Sequence, residues 1–268
     1  DAILPGEDGK PIGSWEGCVA MDPGEPVYQE FLLEQARRHI EKLPESDGIC
    51  IDRMDWLRRF NPKRDDGVSW FNNKPARSLA ISWHQISEKL GAMMHAAGKV
   101  IYVNPLFAHV GMLRHIDGIY DEFGDYPACI NRSGLMGLRK PVMAWTRDAA
   151  AVRLAPDAYF QRYLHMGEFL TAPIPGNDHT ILPAEDTDRY FLDYGPLLNA
   201  LRGKRWVLLP HVIEVKDNSA KANLFQVPGG FVIPVTFGKS DQATIVLRGL
   251  PQLEGQQGFR TEIIQPGQ

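Results

Sequence analysis

Carboxylates stand where apolar runs stop. Residues 47–56 read DGICIDRMDW: Ile49-Cys50-Ile51 end at Asp52-Arg53, with Asp55 and Trp56 close behind. Residues 117–124 read DGIYDEFG, where Ile119-Tyr120 end at Asp121-Glu122. Two carboxyl groups facing each other across a pocket can cleave a glycosidic bond. In the retaining mechanism one attacks the anomeric carbon while the other, its pKa raised, protonates the leaving oxygen, at a separation of about 5 to 5.5 Å. Asp52 and Asp121 are the candidate pair. The plainer alternative for Asp52 is a cap or a salt bridge with Arg53. Neighbours on a strand point to opposite sides, so only one of Asp121 and Glu122 can face a pocket. The matching DGI runs favour Asp121, with Glu122 and the loop acid Asp55 in reserve.

The elements that would position these acids alternate from about residue 26 to 203. PVYQEFLLEQARRHIEKL (26–43) reads as a helix opening with Pro26, followed by a strand at 48–52. SLAISWHQISEKLGAMMHAAG (78–98) reads as a second helix, with Ser78 as N-cap and Gly98 as C-cap, running into the strand KVIYVNP. A short helix near 107–115, the strand at 117–122, a helical stretch near 126–139, PVMAWT, a helix at 149–165 broken near Pro156, EFLTAP and a helix at 188–204 continue the rhythm. Apolar strands separated by helices predict a parallel sheet covered on both faces, with its chemistry at the carboxyl ends of the strands. Beyond Arg205 five short apolar runs follow with no helix between them, so 205–268 reads as a small antiparallel, sandwich-like β domain after an α/β domain over 1–204.

The strand ends supply Asp52, Asn104, Asp121 with Glu122, Thr146 with Arg147, and Thr171. The insertion after the first of them, 53–77, carries Trp56, Phe60, Trp70 and Phe71 among arginines, aspartates and asparagines. Aromatic faces beside amides and carboxylates suit a sugar, whose C–H face packs on a ring while its hydroxyls need several donors and acceptors. Arg53, Trp56, Trp70, Asn104, Trp145, Arg147 and His179 are therefore the candidate substrate contacts. Each tryptophan has packing as its plain alternative, and His179 could equally stabilise its turn.

This order of strand-Asp, strand, strand-Asp with an all-β domain after the last helix resembles the retaining glycoside hydrolases of the α-galactosidase clan. The resemblance implies a (β/α)8 (TIM) barrel followed by a C-terminal β-sandwich, Asp52 in GICIDR as nucleophile and Asp121 in GIYDEF as general acid/base. It implies an oligosaccharide or glycoside as substrate and no cofactor. The segment DGKPIGSWEGCVAMDPGEPVYQEFL is similar to the stretch joining the third and fourth strands of such enzymes. Counting back from EFLTAP as the eighth strand leaves only the C-terminal five βα units. An upstream segment or second chain completing the barrel is thus expected as a partner, and a non-catalytic binding component derived from a glycosidase, or a fragment of a larger assembly, is the alternative. A metal-dependent barrel enzyme using Asp52, Asn104 and Asp121 as oxygen ligands is a weaker one.

Composition narrows the classes. With 29 basic and 33 acidic residues the formal charge is -4, and no basic block marks a nucleic-acid footprint. No apolar run approaches the roughly 20 residues of a membrane span. Cys18, Cys50 and Cys129 lack metal-ligand spacing, and the eight histidines form no zinc motif, so no metal is expected. Gly-x-Ser-x-Gly and phosphate-binding glycine motifs are absent from the sequence. The expected location tilts towards the secreted or extracytoplasmic side; the single sequon, Asn131-Arg132-Ser133, is a match close to chance in a chain of this length and carries little weight.

Overall fold

The computed structural model describes residues 2–13, 17–104, 106, 109–122, 127–146, 149–172, 185–216, 220–237, 242–248 and 260–264. The chain forms two compact units, Asp1–Tyr120 and Asp121–Gln268.

In the first unit α1 (Pro26–Lys42) begins on Pro26, whose fixed φ and missing N–H suit the first helical turn. Strand β1 (Gly48–Ile51) follows. The insertion after it folds into a small antiparallel sheet of β2 (Phe60–Asn61), β3 (Ser69–Phe71) and β4 (Lys74–Ser78), in the order β2-β4-β3. Asn72 and Asn73, at φ 50° and 58°, turn the β3–β4 hairpin with two left-handed residues, the backbone signature of the tight turns that match strand twist. Helix α2 (Leu79–Ala96) is capped as its sequence predicts. The Ser78 hydroxyl accepts the Ala80 N–H, and Gly98 at φ 70° lets the Gly98 and Lys99 amides close on His95 and Met94. The chain continues through β5 (Val100–Val103), a 3-10 turn at 110–114 where a short helix was expected, and β6 (Gly118–Asp121).

The second unit carries α3 (Pro127–Met136), β7 (Val142–Ala144), α4 (Ala149–Leu154), α5 (Pro156–Met166), β8 (Phe169–Leu170) and α6 (Glu185–Ala200). Pro156 separates α4 from α5, because it can start a helix but cannot continue one. Its core gathers Ala144, Val152, Phe160, Tyr163 and Met166, with the Phe160 and Tyr194 rings stacked 4.5 Å apart. Strands β1, β5, β6, β7 and β8 run in that order in one five-stranded parallel sheet. Buried Ile101, Val103, Ile119, Val142 and Ala144 account for its apolar runs.

The rest of the second unit is antiparallel, as expected, but finer-grained than five runs. It holds β9 (Arg205–Trp206), β10 (Ile213–Val215), β11 (Ala220–Ala222), β12 (Phe225–Val227), β13 (Gly230–Val232), β14 (Val235–Phe237), β15 (Ala243–Leu247) and β16 (Arg260–Ile264). They pair as β13-β12-β9, β11-β14 and β10-β15-β16. Prolines inside the expected runs cut them: Pro210 separates Trp206 from Ile213, and Pro234 separates β13 from β14, since a proline cannot donate to a ladder.

Candidate functional site

Asp52 leaves β1 as its last residue gives way to a turn, and its side chain is exposed. The register that pairs Ile51 with Val103 brings Asn104 alongside, and the Asn104 Nδ2 donates to Asp52 Oδ1 at 2.8 Å. Two backbone bonds lock this pair: the Asn104 N–H donates to Ile51 O, and the Met54 N–H to Asn104 O. Asn104 is 6% exposed, so it is a fixed donor, while Asp52 stays open to a ligand. Arg53 adopts a left-handed backbone at φ 61°, an uncommon conformation for a non-glycine residue that costs on the order of 1 kcal/mol or more and tends to mark functional sites. Its guanidinium lies over the Trp56 ring, 5.0 Å from the centroid. Arg53 is therefore directed to an aromatic face, and Trp56 also packs on the Leu4–Ala20–Leu79 cluster.

Register also decides which acid of Asp121-Glu122 leaves on which side. Val103 pairs with both Ile51 and Ile119, and Val103 and Ile119 are buried completely. Asp121 repeats the direction of Ile119 along β6 and is itself 0% exposed. Asp52 and Asn104, one residue past Ile51 and Val103, leave on the other side. Glu122 follows the direction of Tyr120 and is half-buried. The two runs match, but in the first the acid falls four residues after the glycine and in the second only three, so along β6 Asp121 shares the direction of the buried Ile119 and Glu122 that of Tyr120.

At the ends of β7 and β8 the polar groups serve each other. The Thr146 N–H donates to Thr171 Oγ1 at 3.1 Å, and Tyr159 donates its hydroxyl to Thr146 Oγ1 at 3.1 Å. Thr146 is buried completely and so is structural. Trp145 binds the sheet through its backbone N–H to Asp121 O, while its indole N–H is buried without an acceptor among the described residues. Trp70 is 65% exposed on β3, and Phe71 stacks on Phe60 at 5.4 Å. The side chain of Asp55, and Arg147 and His179 altogether, lie outside the described residues.

Three features were not read from the sequence. Glu168, at the start of β8, is 0% exposed, and burial first and the neighbouring Asp121 charge second push its carboxyl up to about 9. Lys204 is equally buried, donates to Gly137 O at 3.0 Å, and is brought down to about 8 by burial, with Glu168 acting in the opposite sense. In the first unit, Asp22 accepts from Asn61 Nδ2 at 2.8 Å, Arg77 Nε at 2.8 Å and the Gly24 N–H at 2.8 Å, while Glu25 binds Arg64 and Arg77. The hydrogen bond from Arg64 is the largest influence holding the Glu25 carboxyl at about 2. Histidines scattered in sequence also meet: the His84 ring lies 5.2 Å from His109 and 5.4 Å from His115, edge to face. Burial, then His84, hold His109 below the usual imidazole range. Among the described residues no three His, Cys, Asp or Glu side chains are gathered as a metal-binding group. Cys18 and Cys50 are exposed, the side chain of Cys129 lies outside the described residues, and no described helix is long and apolar enough to cross a membrane.

No protein-family model matches the chain, and neither does any curated protein.

Proposed function

We propose that the chain is a carbohydrate-active protein of the retaining glycoside hydrolase type, an α-glycosidase acting by double displacement, and that its parallel sheet belongs to a (β/α)8-type barrel. One observation carries this reading: Asp52, exposed at the carboxyl end of a parallel strand, is oriented by the buried Asn104 amide at 2.8 Å. Ligand chemistry in α/β sheets gathers at those strand ends. A nucleophilic carboxylate must stay ionised and point one oxygen at the anomeric carbon. Asn104 engages Oδ1, which leaves Oδ2 for the attack.

In the first step Asp52 forms the bond to the anomeric carbon as the glycosidic C–O bond breaks, and a second carboxyl group gives its proton to the leaving oxygen. In the second step that group, now a base, takes a proton from water, which attacks the anomeric carbon and frees Asp52. Asp121 takes the acid/base role that the family resemblance implies, with Glu122 in reserve. Arg53, Trp56, Trp70 and Trp145 form the sugar-contacting set. No cofactor enters either step.

A second reading, a non-catalytic sugar-binding component, is favoured by one observation: Asp121 is fully buried. Assaying aryl α- and β-glycosides with the native chain, Asp52→Asn, Glu122→Gln and Asp121→Asn separates the two. Hydrolysis that is lost in Asp52→Asn supports the enzyme. Saturable sugar binding with no turnover on any substrate supports the binding component, and turnover undiminished in Asp52→Asn removes Asp52 from the nucleophile role.

A further inference from the structure

Helix α2 packs against the 3-10 turn at 110–114, and a glycine on each side lets the two approach closely. A Cβ on Gly91 would stand 2.7 Å from the His115 carbonyl oxygen. A Cβ on Gly111 would stand 3.1 Å from both Cε1 and Nδ1 of His84 and 3.5 Å from Cε1 of His109. Neither glycine has a left-handed backbone, so each serves space rather than conformation. His84, Ser87 and Gly91 stand at i, i+3 and i+7, on one face of α2. This face and the turn carry three buried polar atoms without a hydrogen-bond partner among the described residues: His84 Nδ1, Ser87 Oγ and His109 Nε2. Buried polar atoms are ordinarily satisfied, so a group of them left unpaired calls for a ligand.

We propose that His84 and His109 together bind one divalent transition cation of the kind imidazole prefers, copper or zinc, with water in the remaining positions. With metal–nitrogen bonds of about 2.0–2.1 Å, two imidazoles at a tetrahedral angle on one ion have ring centres roughly 5 Å apart. The His84 and His109 rings lie 5.2 Å apart, and both turn an edge to the space that Gly111 leaves open. Each has a ring nitrogen with no other engagement among the described residues. A metal ligand must be a neutral imidazole, and the burial that holds His109 below the usual imidazole range keeps it so near neutrality. His115 packs edge-on to His84 at 5.4 Å and supports that ring from the other side. No three His, Cys, Asp or Glu side chains gather among the described residues, so the site is an open one with two protein ligands rather than a closed structural cage. Nitrogen ligands select copper over zinc and reject magnesium and calcium, which seek oxygen. The site stands independently of the catalytic role of Asp52.

The test uses the full chain, free of any affinity tag, titrated calorimetrically with copper chloride, zinc chloride and magnesium chloride. Paramagnetic broadening of backbone amide signals by copper locates the ion. His84→Gln and His109→Gln each remove one ligand, and Gly111→Ala fills the space the two rings share. His95→Gln is the control, since that ring pairs with Asp117 instead. Thermal melts without metal check that each variant folds. The expected result is one copper ion per chain, bound more tightly than zinc, with no magnesium uptake and with broadening strongest at His84, His109 and Gly111. Affinity for copper falls at least ten-fold in His84→Gln, His109→Gln and Gly111→Ala and is unchanged in His95→Gln. Broadening centred elsewhere in the chain overturns the proposal and decides it in the native protein even where a variant unfolds. So does equal copper affinity in His84→Gln and His95→Gln, or a native chain that takes up no copper, which would assign the unpaired nitrogens to water.

Discussion

Replacing Glu168 with glutamine exposes the cost of an acid held in the core. The folded chain keeps a proton on this carboxyl until about pH 9, against an ordinary value of 4.5. Between those values the folded state binds a proton that the unfolded chain has released, so stability falls as pH rises from 4.5 towards 9. At pH 7 the span above 4.5 is roughly 2.5 pH units, which at about 1.4 kcal/mol each amounts to about 3 kcal/mol of destabilisation. Glutamine keeps the shape and hydrogen-bonding capacity and cannot ionise. Because Glu168 is already neutral when folded at pH 7, Lys204 loses no countercharge. Glu168→Gln should therefore stabilise by about 1–3 kcal/mol at pH 7, raising Tm by several degrees, with the gain vanishing near pH 4.5. Thermal and urea unfolding of both proteins at pH 4.5, 6 and 7.5 measure it. A variant destabilised by about 3–5 kcal/mol at pH 7.5 would show instead that Glu168 and Lys204 form a charged pair in the core, and a pH-independent difference would refute the linkage.

Arg77→Ala removes the guanidinium that the buried Asp22 and Glu25 share, leaving Asp22 only the neutral donors Asn61 and Gly24 and Glu25 only Arg64, so it should cost about 3 kcal/mol in urea unfolding at pH 7. Glu25, depressed to about 2, contributes stability that is complete above pH 4.5 and lost as pH falls towards 2, which acid titration followed by circular dichroism reads. Asn104→Ala takes the fixed donor from Asp52 and should lower kcat/KM for an aryl glycoside by roughly 10- to 100-fold, from the worth of a hydrogen bond to a charged group. Arg53→Gly relieves the left-handed backbone and should raise stability by up to about 1 kcal/mol while weakening substrate binding, as KM shows.

The backbone was legible where local chemistry is decisive. Pro26, Ser78 with Gly98, and Pro156 mark helix boundaries because each acts through its own φ or hydroxyl, and the alternating apolar runs mark the parallel strands. The pairing of Asp52 with Asn104 was half legible: both were read as strand ends, but only register makes them neighbours. The side on which Asp121 leaves was not legible, since a shift of one residue between two similar motifs reverses a strand's faces. Glu168 and Lys204 were not singled out, because nothing in GEFL or RGKR announces burial; Lys204 is covered by Phe225, far away in sequence. The Asp22–Glu25–Arg64–Arg77–Asn61 network spans up to 55 residues, beyond any spacing rule. The 53–77 insertion read as a loop because its strands are only two to five residues long.

The most direct test of the central claim is covalent trapping of the nucleophile. A 2-deoxy-2-fluoro glycosyl fluoride slows release of the glycosyl-enzyme, and peptide mass spectrometry locates the attached sugar. The account expects one sugar on the peptide containing Asp52, absent in Asp52→Asn. A sugar attached to another carboxylate, or turnover without any covalent adduct, would contradict it.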